Sequence, residues 1–181
     1  MKQLLSLLIF TLFISSCNEQ VKTPSVYDYS VSDINGLEFD FSTLKGKKII
    51  IVNTASNCKF AQQLGEFEKL FAKYKNKGLE IVAFPSNDFD NLEPGTNEQI
   101  KNYCFEEYDV SYWLMSKSQV TGKDRIPIYK YLTRKNRNGL IDSEVAWNFQ
   151  KYLINEEGHL VKIIAPAVSP LDSSIVNWVR R

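Results

Sequence analysis

Histidine and cysteine, the residues that most often bind metals, are scarce in this chain. Its 181 residues include one histidine, His159, and three cysteines, Cys17, Cys58 and Cys104. A structural zinc site needs four such ligands in closely spaced pairs, so a site of that kind is excluded. No second cysteine lies three residues after Cys58, which disfavours a disulfide oxidoreductase of the Cys-x-x-Cys type. We therefore expect no metal and no other cofactor.

An excess of charge of one sign is also missing. The chain has 22 lysines and arginines against 21 aspartates and glutamates, a formal net charge of +1. The cations are spread along the sequence, which argues against a nucleic-acid partner. Hydrophobic residues make up 44% of the chain, too large a share for an intrinsically disordered protein. The composition predicts one folded domain with a substantial core.

No apolar run in the sequence is long enough to cross a membrane, which takes about 20 residues. The most apolar stretch, Leu4–Ile14, follows Lys2 and precedes two serines and Cys17. This pattern predicts an export signal peptide over residues 1–16. Its ending, Ile14-Ser15-Ser16-Cys17, resembles a bacterial lipoprotein lipobox, in which the cysteine carries the acyl chains. The alternative is an ordinary signal peptide with Cys17 near the cleavage site.

Cleavage before Cys17 would divide the rest of the chain into two parts. Residues 17–25 then form the lipidated cysteine and a polar tether, and residues 26–181 form the domain. Several acyl chains on one residue suffice for stable anchoring. The sequence thus predicts an exported lipoprotein, held on a membrane at the periplasmic face or at the cell surface of a bacterium.

Turn signals and apolar periodicity divide the domain into helices and strands. A hairpin within 27–41 centres on Asn35-Gly36, since both residues tolerate positive φ. The β-branched run at 49–52, an amphipathic helix at 61–75 and an apolar run at 79–84 form a βαβ unit with parallel strands. Further helices are predicted over 98–107, 126–134 and 171–179, and an antiparallel hairpin over 147–154 and 159–164.

This order of elements predicts an α/β domain with a mixed central sheet flanked by helices and an N-terminal β-hairpin, as in thioredoxin-like folds. Cys58 then lies between the first buried strand and the helix that follows it. A helix N-terminus stabilises a thiolate, and Lys59 adds a positive charge. On position alone, Cys58 is either a reactive thiol or a small buried hydrophobic residue.

Four sequence segments carry more specific information. They are IVNTASNC at 51–58, GLEIVAFPSNDF at 78–89, Glu93-Pro94-Gly95 and Trp147-Asn148-Phe149. Each is weak alone, but they occur in this order over nearly all of the domain. Together they resemble the glutathione peroxidase family.

The resemblance implies roles for individual residues. Cys58 matches the peroxidatic cysteine, Trp147 and Asn148 match two members of the active-site tetrad, and Cys104 matches the resolving cysteine of the thioredoxin-dependent members. The implied reaction reduces hydrogen peroxide or organic and lipid hydroperoxides through a Cys58 sulfenic acid and a Cys58–Cys104 disulfide, which a thioredoxin-like dithiol then reduces. Without the motif context, Trp147, Asn148 and Cys104 would be interpreted as packing or capping residues.

The match to the tetrad has one departure. Asp88 stands where the family usually has glutamine, and an ionised carboxylate near Cys58 would oppose thiolate formation. Three interpretations stay open. The Asp88 carboxyl group points away from Cys58, or it is protonated and donates a hydrogen bond, or Lys59, which replaces the family's usual glycine, offsets its charge.

Two other functions are compatible with this departure. One is a membrane-anchored redox sensor or thiol relay that uses the same cysteine pair. The other is a catalytically impaired binding module. The segment from Val120 to Asn148 also lacks the insertion that resembles the oligomerisation loop of the tetrameric members, so we expect a monomer.

Overall fold

The structure, a computed structural model, describes residues 24–181. The predicted signal peptide, Cys17 and the tether up to residue 23 lie outside the described residues. The described strands are β1 (Ser30–Ser32), β2 (Glu38–Asp40), β3 (Lys48–Thr54), β4 (Leu79–Pro85), β5 (Trp113–Leu114), β6 (Lys151–Ile154) and β7 (Leu160–Ile164), and the α-helices are α1 (Gln63–Tyr74), α2 (Asn97–Tyr108), α3 (Pro127–Thr133), α4 (Lys135–Asn138) and α5 (Ser173–Arg180).

Strand β3 occupies the centre of a five-stranded mixed sheet with the order β5-β4-β3-β6-β7. It runs parallel to β4 and antiparallel to β6, and β4 and β6 pair in turn with the edge strands β5 and β7. The continuous apolar sequences of β3 and β4 follow from this position, because both faces of a central strand are buried. Among residues 24–181, no helix is long and apolar enough to span a membrane.

Helices cover both faces of this sheet. Alternate residues of a strand point to opposite faces. Accordingly, Ile50 and Val52 belong to a core that includes apolar side chains of α1, α2 and α5, whereas Ile49 and Ile51 belong to a second core that includes α3 and the β1–β2 hairpin. The mixed sheet, the βαβ unit, the opening hairpin and the thioredoxin-like fold are all confirmed.

The predicted strand over 147–154 is wrong in its first half, because β6 begins only at Lys151. Phe149 adopts a left-handed backbone with φ of 71°, which an extended strand cannot accommodate. Its N–H donates to the carbonyl of Asn53 at 2.6 Å. Residues 147–150 therefore form a turn at the carboxyl end of β3. The short strand β5 was not predicted.

The first described turn of the domain packs on the connection between β6 and β7. Val26 N–H donates to the carbonyl of Gly158 at 2.9 Å, and the hydroxyl of Tyr27 donates to the carbonyl of Glu156 at 2.7 Å. Gly158 has φ of 83°, and a Cβ atom built on it would lie 2.6 Å from the ring of Tyr27. This position thus requires glycine for two reasons, backbone conformation and close approach.

We expect Gly158→Ala to lower the free energy of unfolding by more than Gly139→Ala. Gly139 has a similar φ of 73°, but nothing lies within 4 Å of its built Cβ atom. The control should therefore cost only the backbone strain of about 1–2 kcal/mol, while Gly158→Ala must also displace the Tyr27 ring. Urea unfolding of both variants measures the difference. Equal losses of stability would contradict the close approach.

Candidate active site

Cys58 lies in a loop that follows the carboxyl end of β3. Only 5% of its surface is exposed, and it is a free thiol. Its N–H donates to the carbonyl of Ala55 at 3.3 Å, and its own carbonyl accepts from Ala61 N–H at 2.9 Å. These turns delay the helix, so α1 begins at Gln63. Cys58 thus lies between β3 and α1, as the sequence predicts, four residues before the N-cap of α1.

The Cys58 loop is fixed through Ser56. The buried carboxylate of Glu93 accepts from the Ser56 N–H at 2.8 Å and from its hydroxyl at 3.1 Å, and the hydroxyl of Tyr103 donates to the Ser56 carbonyl at 3.2 Å. Burial raises the pKa of Glu93, and the Ser56 hydrogen bonds oppose that shift. One residue of the loop is thus held by the Glu-Pro-Gly segment and by α2.

An apolar cavity of about 500 Å³ opens beside Cys58. Lys59 also lines it, with its ammonium group 5.2 Å from the centre of the Phe60 ring. Cavities of this size and character accept small organic molecules. The lining residues are Asn57, Cys58, Lys59, Phe60, Leu92, Trp147, Ala165, Pro166 and Ala167.

Trp147 lines this cavity from the turn that replaces the predicted strand, and Asn148 follows it in that turn. The side-chain amide of Asn53 donates to the carbonyl of Trp147 at 3.2 Å, and the ring of Trp147 packs 5.3 Å from that of Phe89. Asn148 is fully buried, and neither polar atom of its amide has a hydrogen-bond partner among the described residues. The side-chain oxygens of Asn53 and Gln63 are likewise buried without a partner among the described residues, and Asn148 itself does not line the cavity.

Cys104 lies on α2, whose N-terminus is capped by reciprocal hydrogen bonds between Thr96 and Gln99. It is a free thiol with 2% of its surface exposed. Burial, with a smaller effect of the nearby Glu93 carboxylate, raises the pKa of Cys104 to about 12. The thiol is therefore protonated at neutral pH. Its neighbour Tyr103 connects α2 to the Cys58 loop, and both cysteines belong to the same apolar core.

The Asp88 carboxylate is hydrogen-bonded to a different part of the chain. One of its oxygens, Oδ2, accepts from the N–H groups of Val120 and Thr121 at 2.7 and 2.8 Å and from the Thr121 hydroxyl at 3.0 Å. Asp88 does not line the Cys58 cavity. Of the three interpretations left open by the sequence, this geometry favours a carboxylate that points away from Cys58.

Comparisons with known proteins agree with this arrangement. Residues 26–133 match the family model described as glutathione peroxidase. The chain is 42% identical over 153 residues to a probable phospholipid hydroperoxide glutathione peroxidase of Citrus sinensis, and the match covers 84% of this chain and 90% of the plant protein. The chain belongs to the glutathione peroxidase family.

A bacterial relative and a solved structure are also similar to this chain. A glutathione peroxidase of Lactococcus lactis is 40% identical over 144 residues, which cover 80% of this chain and 91% of the bacterial protein. The crystal structure of Trgpx in its apo form aligns with a TM-score of 0.68 at 28% identity, over 88% of this chain and 98% of that one. The catalytic roles of Cys58, Cys104, Trp147 and Asn148 in this glutathione peroxidase stay predictions.

Sequence reasoning did not identify two polar residues that organise the site. Asn53 holds the Trp147 turn, and Glu93 holds the Cys58 loop. Both lie inside the segments that carry the family resemblance. The available signals were an amide residue near the end of an apolar strand and a glutamate before Pro-Gly. Neither signal names the partner, which lies 94 residues away for Asn53 and 37 for Glu93.

We expect Asp88→Asn to change the rate of Cys58 oxidation by hydrogen peroxide at pH 7 by less than about threefold. The carboxylate is bound to residues 120–121, so its loss should instead lower the free energy of unfolding by about 1 kcal/mol. Asp90→Asn, at an exposed neighbouring carboxylate, is the matched control. A rise in rate of about tenfold would show that the Asp88 charge does act on Cys58.

Proposed function

We propose that this glutathione peroxidase is a thiol peroxidase in which Cys58 reduces hydroperoxides. The observation that carries the proposal is the apolar cavity of about 500 Å³ beside Cys58, lined by Trp147 and followed in sequence by the unpaired amide of Asn148. The thiol supplies a nucleophile, and the Trp147 indole and the Asn148 amide are the proposed N–H donors. The named relatives support the same activity.

In the first step, the Cys58 thiolate attacks the nearer oxygen of the peroxide and breaks the O–O bond. The thiol is oxidised to a sulfenic acid, and the distal oxygen leaves as water or an alcohol after it takes up a proton. Donors aimed at the departing oxygen stabilise the charge that develops there, and in a water-poor site this contributes several kcal/mol. The Trp147 and Asn148 N–H groups are the proposed donors.

In the second step, Cys104 condenses with the Cys58 sulfenic acid. The Cys104 sulfur attacks the Cys58 sulfur, a disulfide forms and water leaves. The Cys104 thiol is buried and its pKa is raised to about 12, so exposing it to solvent would favour its ionisation and attack. A thioredoxin-like dithiol then restores both thiols by exchange.

The cavity also indicates which class of hydroperoxide can bind. Its wall is mostly apolar, formed by side chains such as Phe60, Leu92 and Pro166, and suits the carbon chain of an organic or lipid hydroperoxide. The Citrus sinensis relative carries phospholipid hydroperoxide in its name. Hydrogen peroxide needs no such wall. We therefore include organic and lipid hydroperoxides among the substrates.

We further propose that the mature protein is a monomeric lipoprotein, exported and anchored to a membrane through Cys17. The apolar stretch Leu4–Ile14 and the lipobox-like ending support this proposal. An anchor of this kind would place the domain beside the lipids whose hydroperoxides it reduces. It would also require a reductant on the exported side of the membrane.

Intact-protein mass after brief treatment with hydrogen peroxide tests the mechanism. A chain that begins at Asn18 should lose two hydrogens as Cys58 and Cys104 form a disulfide. Cys104→Ser should instead gain one oxygen, trapped as a sulfenic acid at Cys58. Cys58→Ser should show neither change. An unmodified wild-type chain would contradict the peroxidase mechanism.

Cell fractionation of the full chain tests the anchor. The wild-type protein should be found in the membrane fraction, and Cys17→Ser should move it to the soluble exported fraction because the acyl chains have no attachment site. Ser16→Ala, which retains a small residue before the cysteine, is the control. Membrane association of a Cys17→Ser chain from which residues 1–16 have been removed would refute the lipid anchor.

A further inference from the structure

Lys151 is a fully buried lysine that the proposed reaction does not use. It is the first residue of β6, and none of its surface is exposed. Its ammonium group donates to three backbone carbonyls, those of Ala165 at 3.5 Å, Pro166 at 2.9 Å and Val168 at 2.5 Å. An ammonium has three N–H donors, so all of them are directed at one turn of the chain.

The charge of Lys151 is balanced by carbonyl dipoles. Within residues 24–181, no carboxylate lies within salt-bridge distance of its ammonium group. Burial lowers the pKa of Lys151 to about 7, and the Glu66 carboxylate on α1 weakly opposes the shift. A lysine buried without a counterion is unusual because desolvation of the charge is expensive. A hydrophobic residue at this position could not make the three hydrogen bonds to the turn.

The turn that Lys151 holds is part of the active-site cavity. Ala165, Pro166 and Ala167 line that cavity together with Cys58 and Trp147. The turn closes through a hydrogen bond from Val168 N–H to the Ala165 carbonyl at 3.2 Å. Gln63, the first residue of α1, donates from its side-chain amide to the carbonyl of Pro166 at 2.9 Å. Two buried side chains, Lys151 of β6 and Gln63 of α1, thus hold one wall of the Cys58 cavity in place.

We propose that Lys151 is a positioning residue that holds the 165–168 turn as a wall of the Cys58 cavity and thereby sets the preference for bulky hydroperoxides. The inference rests on the proposed peroxidase function. A large peroxide must pack against this wall to bring its O–O bond to Cys58. Hydrogen peroxide is small enough to react without it. Lys151 therefore affects the relative rates with large and small peroxides more than it affects the reaction at the Cys58 sulfur.

The test compares the rate constants for Cys58 oxidation by cumene hydroperoxide and by hydrogen peroxide. Lys151→Met keeps an unbranched side chain of similar volume but removes the three donors. We expect it to lower the ratio of the two rate constants by about tenfold or more, since small misplacements of a binding wall have effects of this size. Lys162→Met, at an exposed lysine of β7, is the matched control and should leave the ratio unchanged.

A second variant keeps the inference testable if Lys151→Met does not fold. Gln63→Leu removes the other donor to the Pro166 carbonyl and should lower the same ratio, by less than Lys151→Met. A ratio unchanged in the folded variants, or equal losses for both peroxides, would overturn the positioning role. Failure of the wild type to react with either peroxide would instead overturn the proposed function, and with it the inference.

The dependence of the ratio on pH gives a readout that a purely structural role would not change. Above pH 7 the neutral amine keeps two N–H donors and turns a lone pair toward a carbonyl, so the turn is held less firmly. The groups around Lys151 are Glu66 and Gln63 on α1 and its apolar cross-strand neighbours Val52 and Ile164.

The ratio of the two rate constants should fall between about pH 6 and pH 8 in the wild type and stay level in Lys151→Met. Thiolate formation at Cys58 affects both rate constants equally, so its effect cancels in their ratio. A ratio in the wild type that does not vary with pH would count against the ammonium group as the holding element.

Discussion

The two hydrogen bonds between Asn53 and the turn at 147–149 are the contact on which the site depends. Asn53 is a buried residue at the carboxyl end of β3, and Cys58 follows it by five residues. Its carbonyl accepts from Phe149 N–H and its amide donates to the Trp147 carbonyl, so the tryptophan turn is attached to the strand that also leads to the thiol. The left-handed φ of Phe149 is the conformational cost of this attachment.

Around this contact, buried polar groups replace the ordinary apolar packing. Glu93 holds the Cys58 loop through Ser56, and Lys151 holds the 165–168 turn through its carbonyls. Each of these groups is desolvated, and each is matched by hydrogen bonds that have a fixed direction. Directional bonds position a backbone more closely than apolar contacts do, which is what a preorganised site requires. Asn148 differs from them, because both polar atoms of its amide lack a partner within the described part of the chain.

The substitution of glutamine by aspartate at position 88 has a structural consequence. The shorter carboxylate side chain is bonded to the backbone at 120–121, where two N–H groups converge on one oxygen. An amide carries N–H donors as well as an oxygen and would satisfy that pair less well than a carboxylate does. Trp147 and Asn148 then remain the proposed donors to the thiol, and the exposed Lys59 lines the cavity.

The sequence by itself determined the elements whose signals are local. Asn35-Gly36 predicts the hairpin, the run at 49–52 predicts a central strand, and the ordered motifs identify the family. Only the tertiary structure decided that α1 begins at Gln63 and that the Asp88 carboxylate binds residues 120–121. It also placed Lys151, a residue type usually exposed, beneath the active-site wall. The physical reason is that each of these features depends on partners distant in the sequence, whose position no local pattern encodes.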